Sequence, residues 1–228
     1  MWADLGESAA ILSFMKFLHA SFQPEGDGPF PTLIALHGHG AHALDLIGLS
    51  QFLPKDLLWL CPQAQYTIEE GFHGFTWLNA ERDDPRREEE LDAVIAELRV
   101  FIDEASERYP IDPERTALLG FSQGGMLGYR MALSDPGRFS GLAALSTTLS
   151  AETAESLTAS EELSRLPVLV QHGAQDPMID VDRARESKER LEALEIDLEY
   201  HEYEMEHQIG QESATDLAVW LSSVLKLG

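Results

Sequence analysis

Five short apolar runs, at residues 32–36, 57–61, 116–120, 142–145 and 168–171, punctuate the chain, and several of the stretches between them repeat at helical spacing. A continuous apolar run of four or five residues suits a strand buried on both faces, which is what a parallel sheet requires. Asp197–Tyr203 instead alternates polar and apolar residues and reads as a strand at a sheet edge. Residues 87–107 set Leu91, Val94, Ile95, Leu98, Phe101 and Ile102 along one face of a helix. Residues 123–133, 181–194 and 213–225 are the other convincing helices. Strand and helix in alternation predict a mostly parallel central sheet with helices on both faces. Residues 11–22 are expected to form a strand that leads into the Pro- and Gly-rich turn at 24–31. No repeat, linker or low-complexity tract interrupts the pattern, so a single domain over residues 1–228 is expected. The polar stretch 146–164 reads as a small lid or excursion.

Charge narrows the function classes. The chain carries 16 Lys and Arg against 40 Asp and Glu, a formal net charge of −24. Such a surface repels phosphate backbones and anionic headgroups, so neither a nucleic-acid partner nor stable membrane association is expected. The acidity has two readings, a solvated and highly soluble surface or adaptation to high salt, where counterions screen self-repulsion. Cys61 is the single cysteine, which excludes an internal disulfide and a multi-cysteine zinc site. It sits in an apolar run, so a buried thiol is expected. No apolar run is long enough to cross a bilayer. Asp4 and Glu7 precede Lys16, the wrong charge order for a secretory leader, and a cytoplasmic location is expected.

The strongest local signal is Gly120-Phe121-Ser122-Gln123-Gly124-Gly125, directly after an apolar strand and directly before a helical pattern. That is the context of a nucleophile elbow, a sharp strand-to-helix turn whose flanking positions must be small because backbone passes close by. Ser122 at a helix N-terminus would face free N–H groups that favour developing negative charge. An ordinary glycine-rich turn is the alternative. A hydroxyl alone is a weak nucleophile, so the reading demands a base elsewhere.

Five of the eight histidines are candidates by position. His37 and His39 follow the first strong strand, His172 ends a strand, and His201 lies inside one. His207 follows the last strand and precedes the final helix, where a loop at the carboxyl end of the sheet would project towards Ser122. Asp176, in His172-Gly173-Ala174-Gln175-Asp176-Pro177, is placed to hold that histidine's tautomer, with Asp180 and Asp182 as rival acids. The order Ser122, Asp176, His207 is the one expected of α/β-hydrolases. Two oxyanion donors are needed: the backbone N–H of Gln123, next to the nucleophile, and that of His39 in the loop His37-Gly38-His39-Gly40. A metal pair is the alternative for His37 and His39, but zinc needs about three ligands in an open site and no convincing third is specified.

With these pieces placed, the chain resembles the phospholipase/carboxylesterase family of α/β-hydrolases, which includes the acyl-protein thioesterases. The resemblance runs through Leu36-His37-Gly38-His39-Gly40, Cys61-Pro62-Gln63-Ala64, the 120–125 string, His172 to Pro177 and the late His207. It implies an α/β-hydrolase fold, Ser122 as nucleophile, Asp176 as acid, His207 as base, and main-chain donors at His39 and Gln123. It also implies that Trp77 lies near the acyl pocket as a substrate-binding residue, against the alternative of an aromatic that anchors the long loop 65–76. No cofactor or metal is needed. The expected substrate is a small-molecule acyl ester or thioester, and a homodimer stays open.

Two departures bear on substrate. The family usually carries glycine before its catalytic histidine, where this chain has Glu206, and residues 146–164 are acidic rather than apolar. Both point to a serine carboxylesterase for short- to medium-chain esters. A long-acyl thioesterase or lysophospholipase is the alternative within the enzymes, and a non-catalytic ligand-binding protein on a hydrolase fold the alternative outside them.

Overall fold

The apolar runs become adjacent strands because each has two faces to bury. A computed structural model describes residues 9–12, 15–68, 74–81 and 84–227. Asp4 and Glu7, and Ser13 and Phe14 within the expected N-terminal strand, lie outside the described residues. The strands are β1 (Ala9–Leu12), β2 (His19–Phe22), β3 (Phe30–Leu36), β4 (Leu58–Pro62), β5 (Tyr66–Thr67), β6 (Phe75–Thr76), β7 (Ile111–Phe121), β8 (Gly141–Leu145), β9 (Pro167–Gly173) and β10 (Asp197–Tyr203). The helices are α1 (Arg87–Arg108), α2 (Gln123–Ser134), α3 (Ala151–Glu155), α4 (Glu161–Ser164), α5 (Val181–Ala193) and α6 (Gln211–Val224).

Among the described residues an eight-stranded sheet runs β1-β2-β4-β3-β7-β8-β9-β10. From β4 to β10 every pairing is parallel, while β2 is antiparallel to both β1 and β4. Period-two alternation sorts the side chains. Leu33, Trp59, Leu119, Leu145 and Leu169 share one face with Leu46 and Ile47 of a 3-10 helix (Leu46–Gln51) and with Leu217, Trp220 and Leu221 of α6. Ile34, Leu58, Leu118, Leu142 and Val168 face the other way, onto Leu98 and Phe101 of α1, Leu127 and Met131 of α2, and Leu191 of α5. Each fully buried side chain of this size contributes about 1.5 to 3 kcal/mol. Cys61 is buried in the first of these layers, and burial pushes its thiol pKa up, away from reactivity. No helix among the described residues is long and apolar enough to cross a membrane.

Two elements differ from expectation. Where one strand is expected over residues 11–22, two antiparallel strands, Ala9–Leu12 and His19–Phe22, are paired from Ala9↔Phe22 to Leu12↔His19. Between them Phe17 packs edge-on against Trp77 and Phe101 in the core. β7 begins at Ile111, well before the apolar run, and shifts register against β3 between Phe30 and Thr32. Polar residues there satisfy themselves locally, with Asp112 accepting from the Glu114 N–H and the Arg115 side chain, so apolarity underestimates the strand.

Residues 146–164 carry α3 and α4, capped by Ser150 and Ser160, whose hydroxyls accept from the N–H groups of Thr153 and Leu163. The stretch is tied to α5 by Leu149 N–H to Ser187 Oγ at 2.9 Å and by Arg190 to the Leu149 carbonyl at 3.0 Å.

Candidate active site

Ser122 sits between β7 and α2 at φ 53° and ψ −116°, outside the ordinary regions for a side chain. Its neighbours explain themselves sterically. A Cβ on Gly120 would lie 2.4 Å from the Gly124 carbonyl oxygen, one on Gly124 2.1 Å from that of Leu36, and one on Gly125 2.5 Å from Thr147 Cγ2. Backbone from three elements crosses at this point, and only glycine leaves room. The turn is held by the Ser122 N–H donating to Leu145 O at 2.9 Å.

β9 and β10 end beside it. Gly173 lets the segment after β10 pass, since a Cβ there would be 2.2 Å from Met205 O. Beyond β9, the Asp176 Oδ1 accepts from the N–H groups of Met178 and Ile179 at 2.8 and 2.9 Å, which aims Oδ2 at His207 Nδ1, 2.7 Å away. Burial would raise the Asp176 pKa, but bonds from the Ile179 N–H, His207 and the Met178 N–H outweigh it and hold the carboxyl below its ordinary value. A carboxylate can only accept, so His207 Nδ1 carries the proton and Nε2 is free to accept from Ser122 Oγ at 2.9 Å. The structure therefore brings Ser122, Asp176 and His207 together, with Asp176 enclosed and the His207 side chain 18% exposed.

The rival groups are used elsewhere. Asp180 caps α5 by accepting from Asp182 N–H, and Asp182 pairs with Arg185 in solvent. His201 pairs with Glu199 on the edge strand. His37 is enclosed: Nδ1 lies 2.8 Å from Gly38 O and Nε2 accepts from Ala64 N–H at 3.1 Å. Burial lowers its pKa to about 4 against the opposing pull of that carbonyl, so both ring nitrogens are committed in a neutral ring and neither is free for a metal.

The two proposed oxyanion donors flank the serine. Gln123 is the first residue of α2, so its N–H has no intrahelical acceptor. His39 is exposed and follows Gly38, whose missing Cβ would stand 3.2 Å from Ser122 Cβ. Trp77 lies in the core at 1% exposure, donating through Nε1 to His37 O at 2.8 Å and packing on the His37 ring. From there it anchors its loop against the segment after β3. Residues 69–73 of that loop lie outside the described residues. Glu206 is exposed beside His207.

Three contributions escaped the sequence reading, two of them from residues it had named for other roles. The Gln123 side chain accepts from Trp77 N–H at 3.0 Å and donates to Thr76 Oγ1 at 2.9 Å, docking the loop onto the elbow. Buried His172 lies 2.8 Å from Ile179 O and 3.4 Å from Asp176 Oδ2, facing the acid rather than the serine. Buried Thr147 donates to the Ser122 carbonyl at 2.7 Å. The only local signal for Thr147 was a polar residue just past an apolar strand. Chemically, the arrangement can move a hydroxyl proton onto an imidazole whose resulting charge faces a carboxylate, at the N-terminus of a helix.

The model of a family described as Phospholipase/Carboxylesterase matches residues 19–225. Acyl-protein thioesterase 1 of Mycosarcoma maydis is 31% identical over 122 residues, 51% of this chain and 51% of that protein. The chain thus spans about half the length of such curated relatives. A carboxylesterase structure from Mesorhizobium loti superposes with a TM-score of 0.80 at 22% identity, covering 95% of this chain and 99% of the other. Acyl-protein thioesterase 2 of Zea mays gives 0.68 at 22% identity, covering 90% and 97%. These likenesses identify the fold as that of the α/β-hydrolases.

Proposed function

The chain belongs to the phospholipase/carboxylesterase family, and from that premise we propose that it is a serine hydrolase of small-molecule acyl esters, working as one domain through an acyl-enzyme. The observation that carries the reading is the unbroken line of hydrogen bonds from Asp176 through His207 to Ser122, at 2.7 and 2.9 Å. His207 takes the Ser122 proton as the hydroxyl attacks the carbonyl carbon, and Asp176 stabilises the imidazolium. The backbone N–H groups of His39 and Gln123 donate to the tetrahedral oxyanion. His207 then protonates the leaving alcohol or thiol, and a water deprotonated by the same ring releases the acid. Trp77 serves substrate binding indirectly, through the loop it anchors. None of these steps calls on a metal or cofactor.

The proposed preference is for short to medium acyl chains. Glu206, exposed beside His207, keeps water at the entrance and disfavours burial of a long apolar tail. A second reading, a long-acyl thioesterase or lysophospholipase, is favoured by the thioesterase named among the relatives. Hydrolysis of nitrophenyl esters from acetate to palmitate separates the two. The proposal expects an optimum at short or medium chains, whereas rates still climbing at palmitate favour the second. Ser122→Ala is expected to lower turnover by a factor on the order of 10⁴ or more with an unchanged melting temperature. Wild-type turnover in the pure variant would remove Ser122 from the mechanism, and failure of a fluorophosphonate to label Ser122 would favour a ligand-binding protein.

A further inference from the structure

Four described residues other than glycine have positive φ: Ser122, Ser146, Glu195 and Lys226. Glu195 and Lys226 follow the last turns of α5 and α6, where a left-handed residue is an ordinary way to end a helix. Ser122 belongs to the elbow. Ser146, at φ 46° beyond the end of β8, has neither explanation, and a side chain held there costs free energy that something else must offset.

Its surroundings indicate what the strained step achieves. The Ser146 N–H donates to Gln171 O at 2.8 Å, tying this point to β9. The next residue, Thr147, is buried and turned towards the elbow. Its hydroxyl donates to the Ser122 carbonyl oxygen at 2.7 Å, and its methyl fills the space over Gly125. That carbonyl already accepts from the N–H groups of Gly125 at 3.0 Å and Met126 at 3.2 Å, as the first carbonyl of α2. The threonine is therefore not needed to satisfy a buried acceptor. What it adds is direction, from the segment that follows the neighbouring strand β8.

Direction matters because of what else this peptide unit carries. The carbonyl of Ser122 and the N–H of Gln123 belong to one planar trans group and point opposite ways. Fixing the oxygen fixes the N–H, and a hydrogen bond accepted by the oxygen also strengthens the N–H as a donor. We propose that Thr147 is a positioning residue: through the Ser122–Gln123 peptide plane it aims and polarises the Gln123 N–H at the oxyanion, and the strained Ser146 delivers it there. This rests on the reading of Ser122 as nucleophile and Gln123 N–H as oxyanion donor.

The test compares Thr147→Val, Thr147→Ala and Thr147→Ser with the wild type, by nitrophenyl ester kinetics and by the rate constant of fluorophosphonate labelling per active site. The Ser and Ala variants differ at this position by the hydroxyl alone, so a packing defect common to both cancels if Thr147→Val folds poorly. Expected is a fall in kcat of about tenfold for Val and Ala, with KM within about twofold, because only the transition state carries the oxyanion. Thr147→Ser is expected to recover to within about threefold of wild type. A purely structural role would lower the melting temperature and the number of labelled sites, and leave the rate constant per site unchanged. Equal rate constants for Ala, Ser and wild type would overturn the proposal while leaving Ser122 as nucleophile. A wild-type protein that takes no label at Ser122 would overturn both.

Discussion

Two histidines at the carboxyl end of the sheet use both ring nitrogens, yet only one of them bonds to Ser122. His37, after β3, lies between the Gly38 carbonyl and the Ala64 N–H, enclosed, with its pKa drawn down to about 4 by burial. His207, after β10, lies between a carboxylate and a hydroxyl and keeps one edge in solvent. A ring held by a carbonyl and an amide is a neutral latch, joining the loop after β3 to the one after β4. A ring held by a carboxylate and a hydroxyl can take a proton, because the charge it gains has a partner in place. The partners decide the role, and residue type only makes it available.

The most direct way to break that comparison is to make the surroundings of His207 resemble those of His37. Asp176→Asn keeps an oxygen for the Met178 and Ile179 N–H groups, so the loop should hold. It removes the charge and turns an NH₂ towards Nδ1, which forces the ring into the tautomer that cannot accept from Ser122. Turnover of a short nitrophenyl ester is expected to fall by about 10³ to 10⁴. Loss of less than about tenfold would mean that the carboxylate is not what distinguishes the two rings.

A smaller effect sharpens the other half. The folded-state pKa of His37 lies below its unfolded value, so the unfolded chain binds the extra proton first as pH falls. The contribution of a neutral His37 is therefore fully present above the unfolded pKa and is lost as pH falls towards about 4. Between about pH 7 and about pH 4.5 this amounts to about 2 to 3 kcal/mol. Buried His19 is shifted the same way, so the contrast must be drawn against His37→Gln rather than read from the wild type alone. Urea unfolding across that window is expected to show wild-type stability declining more steeply than that of the variant. Parallel slopes would mean that His37 is not held neutral by its enclosure.

What was legible in the chain follows the same division. The elbow could be read because its geometry dictates residue types: backbone crosses Gly120, Gly124 and Gly125 too closely for any side chain, and the string sits between an apolar strand and a helix. Asp176 and His207 could be read because each follows a strand whose carboxyl end had to face Ser122. The two faces of the sheet were equally plain in the apolar runs. Bonds from side chains to distant backbone were not. Nothing in local spacing says that the Trp77 indole donates to His37 O, that the Gln123 amide holds the Trp77 N–H, or that Thr147 reaches Ser122. Each depends on which loops the fold brings together, and a threonine after a strand looks the same whether it meets solvent or Ser122. The N-terminal hairpin was missed for a related reason, since Phe17, between its strands, packs on Trp77 and Phe101, far along the chain.

A third histidine supplies the low end of the scale. His201 lies on the edge strand β10, 2.8 Å from Glu199, with 37% of its side chain exposed. Like His207 it has a carboxylate beside it, so if proximity to a carboxylate sufficed, this pair should matter too. It differs in that water screens both groups and long side chains must be ordered to meet. Such pairs contribute between nothing and about 1 kcal/mol. His201→Gln is therefore expected to move the unfolding free energy by less than about 0.5 kcal/mol and to leave ester turnover unchanged. Urea midpoints at constant slope would measure the first and the nitrophenyl assay the second. A loss above about 1.5 kcal/mol would show that enclosure is not required for a histidine–carboxylate pair to count in this protein. The distinction drawn between His37 and His207 would then rest on partner identity alone.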